Sequence, residues 1–306
     1  MNGVIVVNKP EGFTSFDVVA VMRKVCNERK IGHCGTLDPN ATGVLPVLLG
    51  RAAKAQDILP NHDKAYVAEF VLGKVTDTLD IWGEVKQEEK TCVTKADLLS
   101  VIPKFTGEIE QIPPMYSAVQ INGKRLYDLA RQGIEVERAA RKITVYSLEL
   151  LAFDEAAQSG KLRVSCSKGT YIRTLIDDIA KHFCAGGCMT SLVRESACGF
   201  TLEDAYTLEE LKALAEKGET EKALLGTESL FVAYKEIKVS SEQAKRFANG
   251  GALSCDRIRQ KPDTMADGEL FRVKNHEGVF IGLGRYIGSS NELKVYKQFS
   301  DYSQFA

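Results

Sequence analysis

The strand-like segments of this 306-residue chain come at irregular intervals, and that irregularity constrains the fold more than any single motif. Residues 4–7, 66–72, 142–153 and 162–166 are rich in β-branched and aromatic side chains and read as strands. Helical spacing begins at Thr14 or Ser15, where Val18, Val21, Met22 and Val25 share a face to about Glu28, and it returns over 96–104 and 171–183. Residues 31–43, with three glycines and a proline, read as a loop, 51–59 as a short helix and 115–121 as another strand. A doubly wound sheet would alternate strand and helix regularly, and its nucleotide site would carry a glycine-rich fingerprint. Neither the alternation nor a Gly-x-Gly-x-x-Gly or Walker-type loop is present. The order predicts an α+β fold with a mixed, largely antiparallel sheet flanked by helices.

A second pattern starts near Val232. A strand at 237–239, a helix at 241–248 and strands near 270–273, 279–286 and 293–296 predict a small β-rich unit. The expected division is therefore 1–231 and 232–306. Just before it, residues 202–230 carry eight acidic against three basic side chains, which predicts acidic, solvent-facing helices at the boundary.

The whole chain carries 40 Lys+Arg and 41 Asp+Glu, a formal charge of -1, which excludes a uniformly basic nucleic-acid coat. The local balance differs. Residues 120–142 and 161–195 each carry six basic against three acidic groups, with Tyr116, Tyr127 and Tyr171 near them. Such segments are either solvated faces or a surface for a polyanion that also offers flat bases to stack on. No apolar run reaches the length of a bilayer span, and the opening four apolar residues are too few for an export signal. A soluble, cytoplasmic protein is expected, and its eight cysteines read as free thiols. His182, Cys184 and Cys188 cluster but lack a fourth zinc ligand, so no metal is expected there.

Four segments carry chemistry-bearing residues in unusual contexts. In Gly32-His33-Cys34-Gly35-Thr36-Leu37-Asp38-Pro39-Asn40-Ala41-Thr42-Gly43, Pro39 biases Asp38 toward extended backbone and the glycines permit close approach. Asp38 is then either an acid presented by a shaped loop or half of an ordinary Asp-Pro turn. Gly169-Thr170-Tyr171-Ile172-Arg173 puts an arginine at a strand-to-helix junction, where it can grip a carboxylate or phosphate. Lys64-Ala65-Tyr66 opens a strand with an aromatic, and Lys9-Pro10-Glu11-Gly12 follows the first strand. Taken singly, each has an ordinary structural explanation.

Taken together, in this order, they resemble the bacterial tRNA pseudouridine-55 synthase family, TruB. The resemblance runs over nearly the whole chain and includes Thr76-Asp77-Thr78-x-Asp80-x-x-Gly83 and Pro113-Pro114-x-Tyr116-Ser117-Ala118. It implies a pseudouridine-synthase catalytic domain with a PUA-like C-terminal domain, acting on uridine 55 in the T loop of tRNA. The reaction it implies breaks the bond from ribose C1′ to uracil N1, turns the base and rejoins it through C5, with no metal and no cofactor. By the family match Asp38 is the central carboxylate, with Arg173 keeping it ionised and Tyr66 stacking on a flipped uracil. Tyr171 and Leu192 would form apolar walls, Lys9 and Pro10 would back the wall behind Tyr66, and Lys64 belongs to the same motif. His33 would fill the space left by the flipped base, and Asp80 would lie near the flipped nucleotides. Residues 113–142 resemble an RNA-clasping insertion.

The implied partner is the tRNA T stem-loop alone, with no membrane and no protein partner, the enzyme being a monomer. An RNA-binding chaperone that helps tRNA fold would use the same surfaces, with or without catalysis. A guide-RNA-dependent relative is the third reading, disfavoured by the lack of a Lys-rich tail. The chain departs from the family pattern at Phe16, Cys34, Gln120, Glu195 and Cys198.

Overall fold

Strand β1 (Gly3–Lys9) is almost wholly buried, so both its apolar faces and its backbone edge need cover. It pairs antiparallel with β3 (Thr42–Leu49), Val4 opposite Leu48 and Lys9 opposite Gly43. Helix α1 (Ser15–Val25) and a short strand β2 (Ile31–His33) connect them. Thr14 caps α1 by accepting from the Asp17 N–H, and Val18 and Met22 pack against Ile5, Val7 and Leu45. The computed structural model describes residues 1–300.

The chain continues through β4 (Lys64–Leu72), a hairpin of β5 (Lys74–Thr76) and β6 (Val85–Glu88), α2 (Lys95–Val101) and β7 (Gly107–Gln111). A two-residue hairpin, β8 (Gln120–Ile121) and β9 (Lys124–Arg125), leads into the five-residue α3 (Leu126–Ala130). Then come β10 (Arg141–Asp154), β11 (Ser159–Cys166), α4 (Ile172–Lys181), β12 (Gly187–Ala197), β13 (Phe200–Thr201) and α5 (Leu208–Glu216). The main sheet runs β1-β3-β12-β4-β11-β10-β7, with β2 added to β3 and β13 to β12. Its ladders are antiparallel except the short parallel contact of β3 with β12. This is the mixed, largely antiparallel sheet that the irregular element order predicts. Helix α4 buries Ile172, Leu175, Ile176 and Ile179 in the core beside Phe70 and Leu162.

The C-terminal part is a second, five-stranded sheet. Its strands are β14 (Glu236–Lys238), β15 (Leu253–Ser254), β16 (Leu270–Lys274), β17 (Phe280–Ile287) and β18 (Glu292–Gln298), and it is joined by helix α6 (Ser241–Ala248). Phe247, Phe271, Val273 and Ile281 form its core. Residues 301–306, the end of the expected second unit, lie outside the described residues. The seam between the sheets is aromatic: Phe231 packs on Tyr234, Phe280 and Phe299, and the cluster continues to Val4, Val44 and Leu48.

Several local expectations change once partners are known. Part of 31–43 is sheet, because Ile31–His33 pairs with the far end of β3. Residues 51–59 give only a tight 3₁₀ turn, Gly50–Ala55. Residues 115–121 yield two paired residues, since the chain has left the sheet there. The acidic stretch is not simply solvent-facing. Leu208 and Leu211 are buried, Leu225 exchanges backbone hydrogen bonds with Val4, and Glu228 pairs with Lys274 of the second sheet.

Candidate active site

The loop before β3 is held by its backbone. The Cys34 N–H donates to the Pro46 carbonyl at 2.9 Å. The Gly35 and Thr36 carbonyls accept from Arg194 Nη2 and Nη1 at 2.9 and 3.4 Å. The Ser15 hydroxyl accepts from the Leu37 N–H at 2.9 Å. The Ala41 N–H closes a turn on the Asp38 carbonyl at 3.1 Å. The Pro39 carbonyl takes two donors, the Gly12 N–H at 3.0 Å and Lys9 Nζ at 2.8 Å. Gly43 has φ +104°, and a Cβ there would lie 2.3 Å from the Arg194 carbonyl, so only glycine lets β3 approach β12 this closely.

Asp38 projects from this frame toward the start of α4. Arg173 Nη2 is 3.0 Å from Asp38 Oδ2, and Nη1 is 3.6 Å from Asp80 Oδ2. The guanidinium also donates to the carbonyls of Thr78 (2.9 Å) and Tyr116 (3.0 Å). The Arg173 side chain is 6% exposed and that of Asp38 is 42% exposed, so the cation is fixed by protein while the acid faces outward. Asp80 is more enclosed. Burial pushes its pKa up, opposed by the Thr78 hydroxyl at 2.7 Å and by Arg173.

A cavity of about 390 Å³ opens beside Asp38, a size suited to a small organic group. Tyr66 from β4, Leu192 from β12, Tyr171, Arg173 and Lys64 line it together with Asp38. Tyr66 lies opposite Arg194 in the β4–β12 ladder, and burial pushes its phenol up to about 12, keeping it protonated at neutral pH. Lys64 donates to the His62 carbonyl at 2.6 Å, and burial lowers its pKa.

The other expected residues stand outside the cavity wall. Lys9 is fully buried, and its ammonium donates to the carbonyls of Pro10, Phe13 and Pro39, so it ties the Pro10 turn to the residue after Asp38. Burial pulls Lys9 down to about 8. His33 ends β2. Its Nδ1 has no hydrogen-bond partner, and burial, then Arg194, lowers its pKa. Asp80 reaches the site only through Arg173.

The contacts of three further residues have no signal in the sequence. Arg194 is the largest fully buried side chain and holds the Asp38 loop by three carbonyls, including Val44 at 2.7 Å. In the sequence it is one more basic residue in a basic segment. Ser15 is doubly bonded to Leu37, although its position suggests only a helix cap. Gln111 is buried at the end of β7 and clasps both the N–H and the carbonyl of Tyr171. Among the described residues no group of three His, Cys, Asp or Glu side chains converges to hold a metal. His182 instead meets Lys104 at 3.3 Å.

Asp38 is thus an outward-facing carboxylate gripped by a buried guanidinium, in a cavity that the Tyr66 ring and a second carboxylate, Asp57, also line. Residues 23–172 match the family model described as TruB family pseudouridylate synthase (N terminal domain). The tRNA pseudouridine synthase B of Clostridium perfringens is 44% identical over 286 residues, covering 93% of this chain and 95% of that one. That of Lactobacillus johnsonii is 40% identical, covering 91% and 95%. Among solved structures, an H/ACA RNP bound to a substrate RNA containing 2′-deoxyuridine aligns with TM-score 0.76 and 25% identity, over 99% of this chain and 87% of that one. A Cbf5-Nop10-Gar1 complex aligns with TM-score 0.75 and 27% identity, over 99% and 86%. The chain belongs to the TruB family of pseudouridine synthases and is an isomerase.

Proposed function

We propose that this enzyme converts uridine 55 in the T loop of tRNA to pseudouridine, working in the cytoplasm as a monomer without cofactor, guide RNA or protein partner. The observation that carries the reading is Asp38, exposed at the cavity and held 3.0 Å from buried Arg173. The reaction breaks N1–C1′ and forms C5–C1′. The C5 proton leaves and N1 gains one, so no atoms are exchanged overall. One carboxylate serves this sequence, and Arg173 fixes where its oxygen points. Tyr66 supplies a ring face against the flipped uracil and lies close to its C5 proton.

A uridine in a folded loop reaches this carboxylate only after leaving its stack. The unpartnered, neutral imidazole of His33 at the end of β2 suits the space the base vacates. The reading divides the chain into a catalytic unit, 1–231, and a PUA-like unit, 232–306, that contacts the acceptor-stem side. The basic excursion near 113–142 clasps the stem-loop. The test is incubation of the pure protein with unmodified tRNA transcript, followed by pseudouridine mapping. Product at one T-loop uridine is expected, and Asp38→Asn should lower the single-turnover rate by at least about a thousandfold with tRNA binding within a few-fold. Substantial turnover by that variant would sink the Asp38 assignment, and product scattered over many sites would sink the substrate assignment.

A further inference from the structure

Two cysteines that the catalytic reading leaves unused meet in the wall of the cavity. Cys34 lies four residues before Asp38, and Cys198 directly follows β12. Both are free, both are buried, and both line the cavity. Both belong to one buried cluster, near enough for each thiol to shift the other's titration, although the residues are far apart in sequence. Each projects from fixed backbone: the Cys34 N–H donates to Pro46 at 2.9 Å and the Cys198 N–H to Asp63 at 3.2 Å.

Two cations stand beside the pair. A Cβ on Gly35 would lie 3.0 Å from Lys64 Cε and 3.3 Å from Arg194 Nη1, which places both side chains against the Cys34 segment. Nearby positive charge favours a thiolate. The neighbouring thiol, then Lys64 and Arg194, lower the Cys198 pKa, which favours its thiolate as the attacking sulfur. The cavity gives a small oxidant a route to sulfurs that the outer surface conceals.

We propose that Cys34 and Cys198 form a modification site at which a hydroperoxide closes a disulfide in the wall of the catalytic cavity. The Cys198 thiolate attacks a peroxide oxygen, the O–O bond breaks, and with hydrogen peroxide a sulfenic acid and hydroxide result. The Cys34 sulfur then attacks the sulfenic sulfur. The S–S bond forms, the S–OH bond breaks, and the Cys34 proton and the departing hydroxyl leave as water. Overall two thiols lose two electrons and two protons, and the peroxide is reduced to two waters. Drawing the sulfurs to bonding distance pulls Cys34 toward the end of β12, and with it the Gly35–Asp38 segment. The sulfur chemistry stands by itself; its consequence for catalysis rests on the reading of this cavity as the uridine site.

The test treats the full chain with dilute hydrogen peroxide, alkylates the remaining thiols and maps the peptides. The expected product is a Cys34–Cys198 linkage with an intact-mass loss of about two hydrogens. Its single-turnover rate on tRNA should fall at least about fivefold and return with dithiothreitol. Cys34→Ala and Cys198→Ala should each keep their own untreated rate under the same dose. Recovery of both cysteines alkylated, at a dose that has already oxidised exposed Cys92 and Cys184, would overturn the proposal, and linkage in an active chain with no change in rate would overturn its consequence for catalysis. Linkage in a chain whose reduced form makes no pseudouridine would support the modification site and overturn the reading of the cavity.

Discussion

Two stretches border the same cavity and are built in opposite ways. Residues 34–41 are pinned from three sides, by Ser15 of α1, Lys9 at the end of β1 and Arg194 of β12. The excursion between β7 and β10 is held near its root and by the buried Leu126 and Leu129 of α3. Those two strands are direct neighbours, Gln111 opposite Arg141, so everything between them is added to a sheet already closed. Its root is anchored by the Tyr116 carbonyl, which accepts from Arg173, and the Tyr116 hydroxyl, which donates to Asp77, and the Leu126 N–H closes it on itself at the Val119 carbonyl. Beyond α3, residues 131–140 form no regular element and are mostly exposed. On the proposed function, the acid is set where misplacement would cost rate, and the basic surface is left where it can follow a substrate. The largest expected effect therefore comes from unpinning the loop. Arg194→Ala strands three carbonyls and should cost about 3–5 kcal/mol of unfolding free energy, read by chemical denaturation. At a temperature where it remains folded, its single-turnover rate should fall at least about a hundredfold. Arg194→Lys restores the charge but not the fork, and should lie between. A loss below about 1 kcal/mol would mean that the loop is held without Arg194.

The contrast sharpens at Asp80, which touches the pinned side only through Arg173. Asp80→Asn removes one of the two carboxylates facing that guanidinium and should lower the rate roughly tenfold, with little change in stability. Its pH dependence has a definite sign. Burial raises the Asp80 pKa from its ordinary value, so as pH falls Asp80 takes up its proton earlier than an exposed aspartate. The wild-type enzyme should lose activity on the acid side in that window, and the loss should be absent from the Asp80→Asn profile. An unchanged acid limb in the variant would remove Asp80 from the arrangement around Arg173.

The same contrast explains what was legible in the sequence. Strands β1, β4, β10 and β11 announce themselves because β-branched runs have few other places to go. The chemistry-bearing residues at the cavity, Asp38, Tyr66 and Arg173, were legible as a set through the family resemblance, while each alone had an ordinary explanation. The residues that hold them were not. Arg194 carries no sign in the sequence that it faces inward, because its burial depends on the β3–β12 contact and on carbonyls nearly 160 positions away. Gln111 is likewise defined only by what α4 brings to it. The resemblance puts Lys9 behind Tyr66, but its tie from the Pro10 turn to the residue after Asp38 depends on three carbonyls with no local signature. Meetings across the sheet, such as Cys34 with Cys198, have no local signature at all.

The smallest effects should come from the excursion, and they should fall on affinity rather than stability. Lys124, Arg125 and Arg131 are exposed, and the two arginines lie over the Tyr127 ring at 5.8 and 5.5 Å. Neutralising Lys124 and Arg125 together should weaken tRNA binding several-fold and reduce the salt slope by roughly 0.7–0.9 for each lost phosphate contact. The unfolding free energy should stay within about 0.5 kcal/mol. Tyr127→Ala should do less. It removes a cation–π platform worth about 0.5–1 kcal/mol at an exposed site, so binding should weaken about two- to fivefold while the rate at saturating tRNA is unchanged. The discriminating measurement is the pair of constants. A variant here that lowered the saturated rate with intact binding would show the excursion helping to set the acid, and the division between a pinned loop and a following surface would fail.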